Sequence, residues 1–272
     1  MTFWGTNTYI LGQDTLAVID PGPASVTHLQ ALLDAINERP VTHIFVTHSH
    51  LDHSPLARSL SLETGAPIFA FGDSTSGQSQ IMRRLAAEGL AGGGEGVDRD
   101  FCPDQKIADG QIVKGGWGEV TALHTPGHMG NHMCFCWEDA LFCGDHVMGW
   151  ASSLVSPPDG DLTDFMRSCA RLLKDDAQVY YPAHGAQIEQ PKARLRWLIT
   201  HRQSREQQII NALTDGPATP KQLAMSIYDT APKPLLEAAT RNVFAHLVDL
   251  SQRQLVYPLE ALGANARFAR ND

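Results

Sequence analysis

The chain has 272 residues, 43% of them hydrophobic, which suffices for one large domain, or a large and a small one, with ample core. Its net charge of −9 argues against general affinity for nucleic acid or anionic membranes, while leaving room for a local basic groove. No apolar run approaches the roughly eighteen residues of a membrane-crossing helix. The N-terminus lacks a basic stretch followed by an apolar one, so no signal peptide is expected, and five cysteines without a regular framework point to a reducing compartment, the cytoplasm.

Residues 6–12 and 15–19 read as a strand pair around Gly12-Gln13-Asp14, broken sharply at Asp20-Pro21-Gly22-Pro23. Leu29, Leu32, Leu33 and Ile36 recur at helical spacing, so 26–38 is expected to be an amphipathic helix. The β-branched run Val41 to Val46 then reads as a buried strand, completing a β-α-β unit. It leads directly into Thr47-His48-Ser49-His50-Leu51-Asp52-His53, where three of the chain's twelve histidines sit. On an extended segment His48 and His50 point the same way. Past the strand end the backbone turns, so Asp52 and His53 can be aimed at a second point. Neutral imidazoles with a carboxylate suit zinc or iron better than calcium or magnesium.

A helix over 54–65, a strand over 66–70 and a helix over 79–88 follow. Gly89 to Gly96 holds five glycines but no Lys-Ser or Lys-Thr pair, so it reads as a surface loop rather than a phosphate loop. Short strands over 107–124 end at His124, and the turn Thr125-Pro126-Gly127 presents His128. Residues 132–137 and 140–143 form a hairpin ending at Gly144-Asp145-His146, with Cys134 and Cys136 on one face as small buried hydrophobes. A Pro- and Gly-rich loop over 153–161, expected to rim the pocket, precedes a helix over 162–174. Val179-Tyr180-Tyr181 is a last short strand before Pro182-Ala183-His184-Gly185. Beyond that, 190–213 reads as one long helix carrying Arg194, Arg196, His201, Arg202 and Arg205, followed by helices over 220–227 and 234–254 and a strand starting at Val256-Tyr257.

The His-x-His-x-Asp-His stretch resembles the signature of the metallo-β-lactamase superfamily. Thr125-Pro126-Gly127-His128, Gly144-Asp145-His146 and Pro182-Ala183-His184-Gly185 are similar to that family's later motifs and come in its order. The resemblance implies an α/β fold, an αββα four-layer sandwich over residues 1–190. It implies two Zn2+ ions per chain, with iron or manganese as the other metals to test. His48, His50 and His128 would hold one ion; Asp52, His53 and His184 would hold the second, with Asp145 bridging. His124 and His146 compete with His128 and Asp145 as ligands, and the family pattern favours the latter pair. Asp20 matches an acidic position near the metals, although Asp before Pro-Gly is also ordinary turn chemistry. His132 is implied as a pocket residue that contacts an oxyanion or leaving group. Ions about 3.5–4 Å apart share an acidified water, so hydroxide attacks without a serine or cysteine nucleophile; Asp52, Asp145 and His132 are the expected catalytic set.

The segment 191–272, three helices and a strand start, resembles a winged helix and is expected as a small all-α, winged-helix-like domain, and the pairing narrows the likeness to the β-lactamase-like protein 2 branch. That branch implies cleavage of single-stranded RNA, with the basic stretch 192–205 tracking a backbone. The alternative is hydrolysis of a small-molecule substrate, an acyl thioester or a lactone-like group. A third class, a winged-helix DNA regulator, is weakened because residues 201–272 hold eight Lys and Arg against seven Asp and Glu. The winged helix is expected to pack over the pocket or to form a homodimer. The family carries a longer segment before the Gly5-Thr6-Asn7-Thr8-Tyr9 strand, so an upstream in-frame extension is expected.

Overall fold

The computed structural model describes residues 5–92, 96–229 and 232–271; residues 93–95 of the glycine-rich loop lie outside it. Strands β1 (Tyr9–Leu11), β2 (Leu16–Ile19), β3 (Val41–Phe45), β4 (Ile68–Ala70) and β5 (Gln105–Lys106) form one sheet in that order. A second sheet runs β10 (Val179–Pro182), β9 (Ala140–Gly144), β8 (Met133–Trp137), β7 (Gly118–His124) and β6 (Ile112–Gly115). Helices α1 (Val26–Ile36), α2 (Leu56–Thr64) and α3 (Gln80–Ala87) connect strands of the first sheet. Helices α4 (Leu162–Leu172) and α5 (Pro191–Ala212) flank the second.

Strand periodicity builds the four layers. In β2, Ala17 and Ile19 join Phe45, Phe135 and Phe142 between the sheets, while Leu16 and Val18 pack with Ile36, Ala57 and Leu60 under α1 and α2. In β9, Phe142 faces the first sheet, while Leu141 and Cys143 meet Phe165, Cys169, Leu195 and Leu198 of α4 and α5. A one-residue slip of β9 would exchange these faces, so burial on both sides specifies its register. Cys134 lies on the helix-facing side with Leu141, as a buried apolar thiol.

The helices end slightly inside their expected limits. Helix α1 stops at Ile36 because Asn37 adopts the left-handed conformation, and its N–H bonds to the Leu33 carbonyl. The edge strand β5 is only two residues long, too short to show a period.

After α5 come α6 (Pro220–Ile227), α7 (Lys233–Gln252) and a ribbon of β11 (Val256–Pro258) and β12 (Phe268–Arg270). The C-terminal part is therefore not wholly helical: β12 pairs with β11 and bridges back to Ala218. Its core combines Ile209, Leu223, Val243, Phe244, Leu247 and Phe268 with Met82 and Leu85 of α3, a helix from the first half of the chain. Every residue from Val243 to Leu250 is buried, so the last half of α7 is covered on all sides. The first half of α7 is more open, with Leu235 and Glu237 exposed.

Candidate metal centre

Asp20, the His48–His53 stretch, Asp145 and His184 follow the C-terminal ends of β2, β3, β9 and β10. β2 runs parallel to β3, and β9 parallel to β10. β7 is antiparallel to β8, itself antiparallel to β9, so the Thr125–His128 turn leaves from the same edge. Strand direction thus delivers all these side chains to one rim of the sandwich, the place where α/β sheets build sites.

Two glycines make the delivery feasible. At Gly127 (φ 142°) a Cβ would lie 2.3 Å from the Phe165 Cα, so only glycine lets the turn rest on α4. At Gly144 (φ 48°) a Cβ would meet His132 Nε2 at 2.6 Å and Thr47 Oγ1 at 2.9 Å.

His50 Nδ1 lies 3.0 Å from both His48 Nε2 and His128 Nε2. Nitrogens about 2.0–2.1 Å from a tetrahedral ion stand about 3.3 Å apart, close to this spacing. A second group joins Asp52 Oδ2 to His184 Nε2 at 3.2 Å and His53 Nε2 at 3.4 Å. Asp145 spans the two. Its Oδ1 is 3.2 Å from His184 Nε2 and 3.7 Å from His53 Nε2, and its Oδ2 is 3.5 Å from His128 Nε2. His48–His50–His128, His48–His53–Asp145 and Asp52–His53–His184 can each converge on a single ion.

The remaining ring nitrogens fix the tautomers. A carbonyl can only accept, so His128 Nδ1–H donates to Leu154 (2.7 Å) and His184 Nδ1–H donates to Gly5 (2.9 Å). The Thr47 hydroxyl donates to Asp20 Oδ2 at 2.6 Å, so it accepts from His48 Nδ1–H at 3.0 Å. Asp20 also accepts from His53 Nδ1–H at 2.9 Å. Each of these four rings therefore turns its Nε2 inward, as metal-ligating histidines do. Asp20 orients the site and touches neither group of converging atoms as a ligand.

Electrostatics divides the cluster. Burial, reinforced by neighbouring imidazoles, lowers His48 well below the usual histidine range and brings His50 to about 3. These rings are neutral, with lone pairs free for a cation. Burial also opposes charge on His53 and His184, but Asp145 and Asp52, joined by Asp20 at His53, outweigh it and raise both, His184 to about 10. The same contacts hold Asp52 and Asp145 below the carboxylate range despite burial. Asp145 Oδ1, Asp52 Oδ1 and His53 Nε2 are buried without a hydrogen-bond partner. Polar atoms so placed are costly unless an ion satisfies them, so the donor set fits two metal ions.

His132, expected in the pocket, and the disfavoured competitors His124 and His146 fall outside the cluster. His132 is fully buried behind His48, with Nδ1 on Thr125 Oγ1 at 2.9 Å and no surface facing a substrate. Gly144 lies beside its Nε2, where an added Cβ would stand 2.6 Å away, so the geometry lends no support to the oxyanion or leaving-group role expected of His132. His124 stacks on Phe71 at 3.7 Å, and His146 packs on Phe165 beside Cys169. Neither joins the cluster. The carbonyls of Gly5 and Leu154 escaped the sequence reading, since any residue offers one. Thr47 was visible only as the first residue of the motif.

The basic stretch on α5 serves the fold. Arg194 donates to the Met148 and Ala151 carbonyls at 2.7 and 2.6 Å, and Arg205 lies over the Tyr228 ring at 3.9 Å. Arg202 is buried and donates to the Ser153 carbonyl and to Asn242. These contacts engage Arg194, Arg202 and Arg205 within the fold and leave Arg196 the exposed arginine of the stretch expected to track a nucleic-acid backbone.

The layered sandwich and a histidine–aspartate cluster at its rim define an α/β metal-site protein. The model of the metallo-beta-lactamase superfamily matches residues 1–184, and that of the beta-lactamase associated winged helix domain matches 219–261. The chain belongs to the metallo-beta-lactamase superfamily. It is similar to a beta-lactamase-like protein 2 homolog of Drosophila melanogaster, at 28% identity over 93% of this chain and 84% of the relative. It is also similar to an atrochrysone carboxyl ACP thioesterase of Aspergillus fumigatus, at 30% identity over 85% of this chain and 71% of the relative. Against the lactamase-like protein aptB of Emericella nidulans, at 30% identity, it covers 63% of the relative's length. Among solved structures, a metallo-beta-lactamase family protein from Thermus thermophilus shares the fold, with TM-score 0.76 and 24% identity over 98% of this chain and 94% of that one. Among the described residues, no helix is long and apolar enough to cross a membrane.

Proposed function

We propose that the chain is a binuclear metal hydrolase whose substrate is a small acyl thioester. The observation that carries the hydrolase reading is Asp145, whose two oxygens face the two groups of donors separately. His48, His50 and His128 would hold one ion; Asp52, His53 and His184 would hold the other, with Asp145 shared. Zinc suits this mixed nitrogen and oxygen set, and metal analysis of unsupplemented protein separates it from iron or manganese. When bound, two such ions acidify a shared water and polarise the bond to be cleaved.

The protein's own part is to hold these donors and to offer no competing nucleophile. Burial pushes the Cys134 and Cys169 thiols up to about 12 and Cys143 well above the usual thiol range, so none is a thiolate near neutrality. A covalent acyl-cysteine route through them is thereby disfavoured, and water remains as the attacking group. The unpaired cysteines also favour the cytoplasm as the working compartment.

Two observations favour a thioester over RNA. Arg194, Arg202 and Arg205 of α5 are engaged by the fold, and a relative matched over 71% of its length is named as an acyl-carrier thioesterase. The deciding experiment compares an acyl-thioester panel with labelled unstructured RNA, using protein of known metal content and Asp145→Asn as control. Thioester turnover that falls at least ~100-fold in the variant supports the proposal. RNA cleavage with intact thioesters would overturn it in favour of the phosphodiesterase reading.

A further inference from the structure

The Leu154 carbonyl that fixes His128 sits in a loop with little hold of its own. Ser153, Leu154 and Val155 are buried, yet among the described residues none of them takes part in a backbone–backbone hydrogen bond. Apart from Ser153 Oγ, which donates to the His146 carbonyl at 2.9 Å, side chains from outside the two sheets hold this segment. Asn242 Oδ1, on α7, accepts from the Val155 N–H at 3.2 Å and from Arg202 Nη1 at 2.9 Å. Arg202, on α5, donates through Nη2 to the Ser153 carbonyl. Leu154 lies between these two anchored neighbours, and its carbonyl accepts from His128 Nδ1–H at 2.7 Å.

Arg202 has a costly position. It is 3% exposed and, among the described residues, forms no ion pair; its guanidinium lies 5.2 Å from the Phe165 ring centre. An apolar residue of similar volume would fill this space without burying a charge, and such exchanges commonly leave stability equal or improved. Stability alone therefore gives no reason for an arginine here. Its planar fork does: one side chain reaches the loop carbonyl and the Asn242 amide oxygen together.

We infer that Asn242 and Arg202 form a clamp by which the C-terminal helices position His128 for metal binding, acting through the 153–155 segment. Both are positioning residues; neither touches the converging donor atoms. The inference rests on the hydrolase reading of the site, but its test reads metal affinity rather than turnover. It makes the winged-helix part a component of the metal centre rather than an appended binding module.

The test is titration of the chelator-stripped full chain with cobalt(II), followed by visible absorption and competition with a chelator. Asn242→Leu removes the shared acceptor. It should weaken the ion at the three-imidazole group roughly 10–100-fold, leaving the ion at Asp52, His53 and His184 unchanged. Asn242→Asp keeps an oxygen for both donors and should restore wild-type affinity and spectrum. If Asn242→Leu does not fold, Arg202→Lys carries the same expectation, since it keeps the charge and loses the fork. Wild-type affinities in the folded Leu or Lys variant, or an Asp variant as weak as Leu, would overturn the clamp. A wild-type chain that binds no cobalt would sink the hydrolase reading itself, so the two failures are distinct.

Discussion

Asp20 ends β2 in the left-handed region (φ 49°), and its carboxylate takes the Thr47 N–H at 2.7 Å, the Thr47 hydroxyl and His53 Nδ1–H. Asp20→Ala would leave three buried donors without an acceptor, each costing about 1–3 kcal/mol if nothing relaxes. Loss of their aim should also weaken metal binding roughly 10–100-fold, measurable by chelator competition beside a thermal melt. The pKa shifts predict how the chelator-stripped protein responds to pH. His184 and His53 are raised in the fold, so their stabilisation is complete below the unfolded value of 6.5 and is lost as pH climbs, for His184 towards about 10. His48, His50 and His128 are lowered, so theirs is present above 6.5 and is lost as pH falls, for His50 towards about 3. Asp52 and Asp145, also lowered, add to the loss in strong acid. Melting temperature of the stripped chain should therefore peak near pH 6.5 and decline on both sides. Metal affinity should instead rise across the alkaline limb, because His53 and His184 must shed protons to bind an ion.

At the level of elements, the turn between β7 and β8 is held from α4. Gly127 rests on the Phe165 backbone, the Gly127 carbonyl accepts from the Asp161 N–H at 2.8 Å, and Ser168 Oγ donates to the Pro126 carbonyl at 2.8 Å. Gly127→Ala should cost about 2–4 kcal/mol in denaturant unfolding, because its Cβ meets backbone atoms that cannot rotate away. Gly65→Ala is the contrasting case: its φ is 73° and nothing lies within 4 Å, so only left-handed strain of about 1 kcal/mol applies. Equal effects for the two would show that the contact with α4 contributes nothing. On the opposite side, Asn7 Nδ2 donates to the Pro182 and Gly185 carbonyls at 3.0 and 2.9 Å and so pins the turn that carries His184. The opening segment therefore completes the site, with Gly5 as the acceptor for His184.

Across the whole molecule, the hydrophobic clusters run through both parts of the chain. Helix α5 places Leu195 and Leu198 beneath the second sheet and Ile209 in the C-terminal core, where Met82 and Leu85 of α3 also lie. Ala245 of α7 packs back into the cluster under the second sheet. A chain cut after residue 190 would expose these faces and lose the anchors of the 153–155 segment. The fragment 1–190 is expected to aggregate or to melt well below the full chain. A monodisperse fragment in sedimentation, with an unchanged melting temperature, would show the two parts to be independent.

What the sequence by itself determined was the set of converging donors and the layers that carry them. His48, His50, Asp52 and His53 are local to one strand end, and period-two alternation in β2, β3 and β9 reports which face each residue takes. Short-range signals of this kind survive in a linear chain because they arise from backbone geometry within a few residues. Only the tertiary structure decided which neighbours orient those donors. Asp20 could equally have been a turn residue until Thr47 and His53 were placed on it, and His132 was indistinguishable from a pocket residue until Gly144 covered its ring. The α5 arginines read as a basic strip until loop carbonyls and Tyr228 engaged them. The acceptors at Gly5 and Leu154 are main-chain atoms that every residue carries, so their role depends on long-range proximity alone and has no signature in residue type.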